Sequence, residues 1–157
     1  MSTVQRTLLI ISHAPSRNTQ ALQQSLLEGA GDEGIEAVAA NVRSPFDTKP
    51  EHVRAADALI LFTPENLGYM SGALKDFFDR IYYPCLEDTQ GKPYALIVRA
   101  GHDGTGTCRA VSSIATGLRW REIRPPTVCK GDYQPAFAEW ARELGLLVAA
   151  SLDNGLI

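Results

Sequence analysis

The chain has few cysteines, and no two of its three, Cys85, Cys108 and Cys129, stand in a CxxC spacing. A disulfide framework and a thiolate metal site are thereby excluded as organising features. No long apolar run is present. Leu8 to Ile11 is far too short for a signal-peptide core or a membrane span, so no membrane is expected and the chain is read as soluble and cytoplasmic. There is no Lys/Arg run, and a net charge of -3 is too mild to imply nucleic acid as a partner. The same mild charge is weaker than expected of a carrier that docks by a strongly acidic face.

Phosphate-handling signatures are also missing. GxxxxGK[ST] is absent, and no GxGxxG follows the first apolar run. A phosphoryl-accepting receiver domain would want carboxylates after its first and third strands, where this sequence has Ser12, His13 and Thr63. A cysteine phosphatase loop would want Cys and Arg just after the first strand, and neither arrangement occurs.

What is present is ordinary globular composition, 45% apolar and 21% charged over 157 residues, which fits one domain spanning residues 1–157. The pattern alternates strand, loop and helix. Thr7–Ile11, Ala58–Phe62 and Tyr94–Val98 are continuous apolar runs, as strands covered on both faces require. A second strand is expected over Ile35–Val42. A fifth is expected within Trp120–Val128, where Pro125-Pro126 implies an edge or an early exit.

Four helices are marked by apolar stripes. The first carries Ala21, Leu22, Leu26 and Ala30, with Asn18 or Thr19 as N-cap and Gly31 and Gly34 as its stop. The second carries Leu74, Phe77, Phe78 and Ile81 and ends at Pro84. The third carries Val111, Ile114, Ala115 and Leu118, and the last Phe137, Trp140, Ala141, Leu144 and Val148. A further short helix is expected near Pro50. The alternation implies an α/β three-layer sandwich around a five-stranded parallel sheet. The common order is 2-1-3-4-5, with a ligand crevice at the switch point between the first and third strands.

Three loops should therefore converge at one end of the sheet. The first, Ser12 to Thr19, offers hydroxyls, an amide and no carboxylate, and runs into a helix N-terminus. Free backbone N–H groups and the helix dipole favour an anion there, and a terminal phosphate fits; an ordinary polar loop with an N-cap has the same composition. The second, Thr63 to Gly72, holds glycines at 68 and 72 that let backbone donors approach a flat ligand. The third, Gly101 to Gly106, is rich in glycine, which alone is a weak signal.

The second loop and its helix carry a resemblance. Thr63-Pro64-Glu65, Gly68, Gly72, Leu74-Lys75 and Asp79 match, without a gap, the TPE-aromatic-x-G loop and G-x-L-K-x-x-x-D helix of the flavodoxin-like NAD(P)H-dependent FMN and quinone reductases. The resemblance spans nearly the whole chain. It implies a flavodoxin-like fold, FMN as cofactor, and NADPH or NADH as electron donor to a small-molecule acceptor such as a quinone. It places the FMN phosphate on Ser12, Ser16, Arg17, Asn18 and Thr19. It places the flavin ring on Thr63, Pro64, Glu65, Asn66, Leu67 and Gly68, and the ring's far edge on Gly101, His102, Asp103, Gly104 and Thr105. No side-chain catalyst is implied, since the chemistry is the flavin's.

The sequence departs from the pattern once. Asn66 stands where the family usually has an aromatic, and the aromatic here is Tyr69. A flavodoxin-type carrier without a nicotinamide site, and a flavin-less binding module of the same fold, stay open beside the reductase. Tyr82-Tyr83-Pro84 could rim the site or serve a homodimer interface. Lys75 and Asp79, His102 and Cys108 have ordinary readings as a surface pair, a solvated loop histidine and a small buried thiol.

Overall fold

A computed structural model describes residues 4–157. In chain order the elements are β1 (Arg6–Ser12), α1 (Arg17–Ala30), β2 (Val38–Arg43), a single 3-10 turn (Pro45–Asp47), α2 (Pro50–Ala55), β3 (Ala58–Asn66), β4 (Tyr69–Met70), α3 (Gly72–Cys85), β5 (Pro93–Ala100), α4 (Thr105–Gly117), β6 (Arg121–Glu122), β7 (Thr127–Lys130) and α5 (Pro135–Asp153). The sheet runs β2-β1-β3-β5, with β6 and β7 both parallel to β5 and β4 antiparallel to β3.

This is the expected α/β order with the fifth strand cut in two. β6 pairs with Pro93 and Tyr94, and β7 pairs with Ile97 to Ala100. Between them lie Pro125 and Pro126, which have no N–H to donate, so the ladder breaks there and resumes beyond. Among the described residues the sheet thus has seven strands rather than five, the seventh being the short hairpin partner β4, which no apolar run announces.

Each interior strand is buried on both faces, and the two-residue period sorts its side chains into two cores. Leu9, Ile11, Leu59, Leu61, Leu96 and Val98 face α3 and α4 and meet Phe77, Phe78, Val111 and Trp120. Leu8, Ile10, Ile60, Phe62 and Ile97 face α1 and α5 and meet Leu22, Leu26, Phe137, Leu144 and Val148. α1 and α5 also touch directly. A Cβ on Gly29 would lie 2.0 Å from the Arg142 carbonyl oxygen, and one on Gly145 would lie 2.1 Å from that of Leu26. The two helices therefore pack backbone to backbone.

Several boundaries differ from the sequence reading. β2 begins at Val38, not Ile35, because the N–H groups of Glu36 and Ala37 donate to the Asp153 carboxylate at the end of α5 (3.0 and 2.9 Å). α1 is capped by Ser16, not by Asn18 or Thr19: the Ser16 side chain accepts from the Thr19 N–H, while the Thr19 hydroxyl takes the Ser16 N–H. Ala21 is exposed, falling off the face that carries Leu22, Leu26 and Ala30, and Thr19 and Gly29 join that buried stripe. Pro84 does not stop α3; it sits in the last turn, and the helix ends one residue later at Cys85. Trp140 is 42% exposed, lying against Phe137 (ring centroids 5.3 Å apart) at the rim of the core rather than within it.

Candidate functional site

The strand registers bring the three loops to one end of the sheet. Ser12, the last residue of β1, stands opposite Phe62 in β3, and Thr63 and Pro64 stand opposite Val98 and Arg99 in β5. The first and third strands are neighbours whose following helices lie on opposite faces, which is the switch point where open α/β sheets take ligands.

In the first loop, Ser12 is buried and donates its hydroxyl to Gln23 Oε1 at 2.7 Å. Thr19 is buried too, and its hydroxyl is held within the Ser16 capping box. Ser16, Arg17 and Asn18 are exposed. Arg17 and Asn18 open a 14-residue helix, so their N–H groups point outward without an intrahelical acceptor. No carboxylate belongs to this loop. His13 follows Ser12 in the same loop; among the described residues its buried Nδ1 has no hydrogen-bond partner. Burial also holds its pKa below 6.5. The free N–H groups at the start of α1, in a loop without a carboxylate, fit a phosphate.

The second loop is not irregular. β3 continues through Asn66, turns over Leu67 and Gly68, and returns as β4. Both turn residues are left-handed, with φ of 55° at Leu67 and 72° at Gly68, the pattern of a two-residue I′ hairpin. Leucine at such a position is strained, and its side chain is fully exposed. We expect Leu67→Asn to raise the stability of the flavin-free protein by about 1 kcal/mol, read in thermal denaturation, because asparagine tolerates this conformation. A loss of stability would show that the leucine side chain makes contacts that matter.

The hairpin also accounts for the displaced aromatic. Asn66 and Tyr69 are directly paired across it, so their side chains share one face. An aromatic ring thus stands on the residue opposite Asn66, on the same face of the hairpin. Below the hairpin, buried Thr63 accepts the Ser71 N–H at 3.0 Å, and buried Ser71 caps α3 by accepting from Leu74.

Glu65 joins the second loop to the third. Its two carboxylate oxygens accept the N–H groups of His102 (3.0 Å) and Gly104 (2.8 Å). Two of the backbone donors expected at the ring's far edge are thus already engaged by the protein itself. Gly101, His102, Asp103 and Thr105 are exposed, and Asp103 accepts from the Thr105 N–H. Gly104 is buried and left-handed, and a Cβ there would strike Val128 at 2.9 Å, so no other residue fits. The same loops meet again at Gly106, where a Cβ would lie 2.0 Å from the Gly68 carbonyl oxygen.

An open cleft of about 620 Å³ borders the third loop and is closed on its other side by Lys130 and Gly131. The sequence reading missed these two, since the fifth strand was expected to end at Val128. The remaining polar residues behave plainly. Lys75 pairs with Asp79 at 2.6 Å on the exposed face of α3. The Cys108 thiol, in the first turns of α4, is pushed up by burial and by Glu122, Glu65 and Asp103, which disfavours its thiolate.

Comparison with known proteins finds relatives by family, by sequence and by fold. A family model described as NADPH-dependent FMN reductase matches residues 6–135. The chain is 36% identical over 97 residues to an NAD(P)H-dependent FMN reductase of Pseudomonas aeruginosa, covering 60% of this chain and 52% of that protein. It is 28% identical over 111 residues to a flavodoxin of Aquifex aeolicus, covering 71% of this chain and 59% of that one. It therefore spans little more than half the length of either curated relative. Among solved structures, an archaeal flavodoxin superposes with a TM-score of 0.78 at 17% identity, covering 93% of this chain and 98% of the other, which establishes the flavodoxin-like fold.

Proposed function

The chain belongs to the NADPH-dependent FMN reductase family, and from that premise we propose that it holds FMN across the ends of β1, β3 and β5 and passes electrons from NADPH or NADH to a small-molecule acceptor such as a quinone. The observation that carries this reading is the joined pair of loops around Glu65 set beside a carboxylate-free helix N-terminus.

Each element has a role in that reading. The N–H groups of Arg17 and Asn18, with the Ser16 hydroxyl and His13, hold the phosphate. Buried Ser12 and Thr19 shape the loop from beneath. The hairpin Glu65 to Gly68 lies along the ring, and Tyr69, opposite Asn66, covers it. Glu65 keeps the third loop in register with the second. Bound FMN supplies the hydride and electron chemistry; the protein supplies position, exclusion of water and backbone dipoles. Among the described residues no helix is long and apolar enough to cross a membrane, and a cytoplasmic site of action fits a nicotinamide-dependent reaction.

The test is anaerobic. FMN-loaded protein is mixed with one equivalent of NADPH or NADH and the flavin absorption is followed. Bleaching by either nucleotide supports the reductase. Bleaching by dithionite alone overturns it in favour of a flavodoxin-type carrier, and failure to retain FMN leaves the fold as a flavin-less module.

A further inference from the structure

Beyond β2 the chain makes a turn whose construction the flavin does not require. The 3-10 turn Pro45–Asp47 is tied down from several directions. Arg80 of α3 donates to the carbonyls of Thr48 (2.8 Å) and Pro45 (2.6 Å), and Arg43 donates twice to the Asp47 carbonyl (2.7 and 3.2 Å). The Thr48 hydroxyl donates to the Ser44 carbonyl at 2.7 Å, and the Ser44 hydroxyl accepts the Phe46 N–H. Pro45 and Thr48 are buried. This rigid turn nonetheless holds Phe46 in solvent, 61% exposed. The ring meets His13 of the first loop edge-on, with centroids 6.5 Å apart.

Phe46 forms one wall of an open cleft of about 460 Å³ lined also by Val42, Arg43, Ser44, Asp47 and Lys49. Arg43 has its Nε and one terminal nitrogen engaged, which leaves its other terminal nitrogen to donate. Lys49 is exposed and forms no ion pair among the described residues. The cleft thus combines a presented aromatic face, two cations and a single carboxylate.

We propose that this cleft is the subsite for the 2′-phosphoadenosine half of NADPH, with adenine on Phe46, the 2′-phosphate on Arg43 and Lys49, and Asp47 accepting from a ribose hydroxyl. An exposed aromatic ring stacks on a base without regard to its hydrogen-bonding edge. A guanidinium and an ammonium match a phosphate dianion, and they outnumber the one acidic group. Position agrees as well. Arg43 is in register with Ile11, so the turn rises at the same end of the sheet as Ser12. It lies three strand spacings from β5, about 14 Å. The hairpin itself continues β3, two strand spacings or about 10 Å from the turn, a separation that one extended dinucleotide spans with one half on the hairpin and the other on Phe46. The subsite rests on the reductase reading for its donor, and it makes the donor NADPH rather than NADH.

The test keeps the two claims apart. FMN-loaded protein is titrated calorimetrically with adenosine 2′,5′-bisphosphate and with adenosine 5′-monophosphate. The wild type should bind the bisphosphate at least ten-fold more tightly than the monophosphate. Lys49→Gln should remove most of that preference, and Phe46→Ala should weaken both ligands about ten-fold. Both side chains are exposed, and unchanged thermal midpoints would confirm intact folds. In steady state, the ratio of the NADH KM to the NADPH KM should fall toward one in Lys49→Gln. If NADPH bleaches the flavin while both variants bind and turn over as wild type does, the subsite is overturned and the reductase stands. If no nucleotide bleaches the flavin yet the bisphosphate binds through both residues, the reductase falls and the subsite stands. No measurable bisphosphate binding to the wild type overturns the subsite.

Discussion

Gly145→Ala should cost about 3 kcal/mol, near the upper end for overpacked sites, and should lower the thermal midpoint by roughly 6–12 °C. In an open helix the same change would gain about 1 kcal/mol, because alanine favours the helix. Here the added carbon would lie 2.1 Å from the Leu26 carbonyl oxygen and 3.0 Å from the Ala30 nitrogen. Both are backbone atoms of a neighbouring helix, so no side chain can swing aside. α1 and α5 must separate, and Leu22, Leu26, Leu144 and Val148 lose contact with one another. Gly29→Ala meets the Arg142 carbonyl oxygen at 2.0 Å and should behave alike. The two changes force the same separation, so the double variant should cost less than their sum. Gly72→Ala, in the first turn of α3 with nothing within 4 Å of its would-be Cβ, is the control and should leave stability unchanged or slightly raised. A wild-type midpoint in Gly145→Ala would refute the backbone contact.

The second large effect falls on the cofactor. Ser16→Asp should abolish FMN retention while leaving the fold intact. Aspartate caps helices as well as serine does, so the N–H of Thr19 keeps its acceptor. The new charge, however, stands beside the N–H groups that would hold the phosphate. At about 4 Å and an effective dielectric constant of 20, each pair of unit charges repels by about 4 kcal/mol. That is a loss of roughly a thousand-fold in affinity even for a singly charged phosphate. Ser16→Asn, a neutral cap of similar size, should keep most of the binding. The comparison reads flavin absorbance after gel filtration. Wild-type retention by the Ser16→Asp protein would remove the phosphate from the α1 N-terminus.

Much of this architecture is legible in the amino-acid order. Doubly covered strands declare themselves as the runs Leu8–Ile11, Leu59–Phe62 and Ala95–Val98, and the double proline marks where the last strand breaks. The three loops follow from topology once five strands alternate with helices. Less legible is anything decided by contacts between distant residues. Glu65 reads as a motif letter, yet its two hydrogen bonds reach 37 and 39 residues along the chain. The hairpin at Leu67 is hidden because leucine is not a turn residue, and only the pairing of Asn66 with Tyr69 reveals where the aromatic went. The cap of α1 is ambiguous in Ser16-Arg17-Asn18-Thr19 because three of the four residues can cap. The reciprocal bonds between Ser16 and Thr19 decide it. Phe46 lies in a stretch that composition marks only as a proline-containing connection. A signal did exist there, since an aromatic flanked by Pro45 and Asp47 is out of place in a polar turn.

The FMN phosphate is expected on the N–H groups that open α1. A fluorescence titration of the flavin-free protein with FMN and, separately, with riboflavin tests this directly. The two ligands share the ring and differ by the phosphate. Two or more charge-assisted hydrogen bonds from the α1 N-terminus should make FMN bind at least about 100-fold more tightly. Equal affinities, or no binding of either flavin, would contradict it.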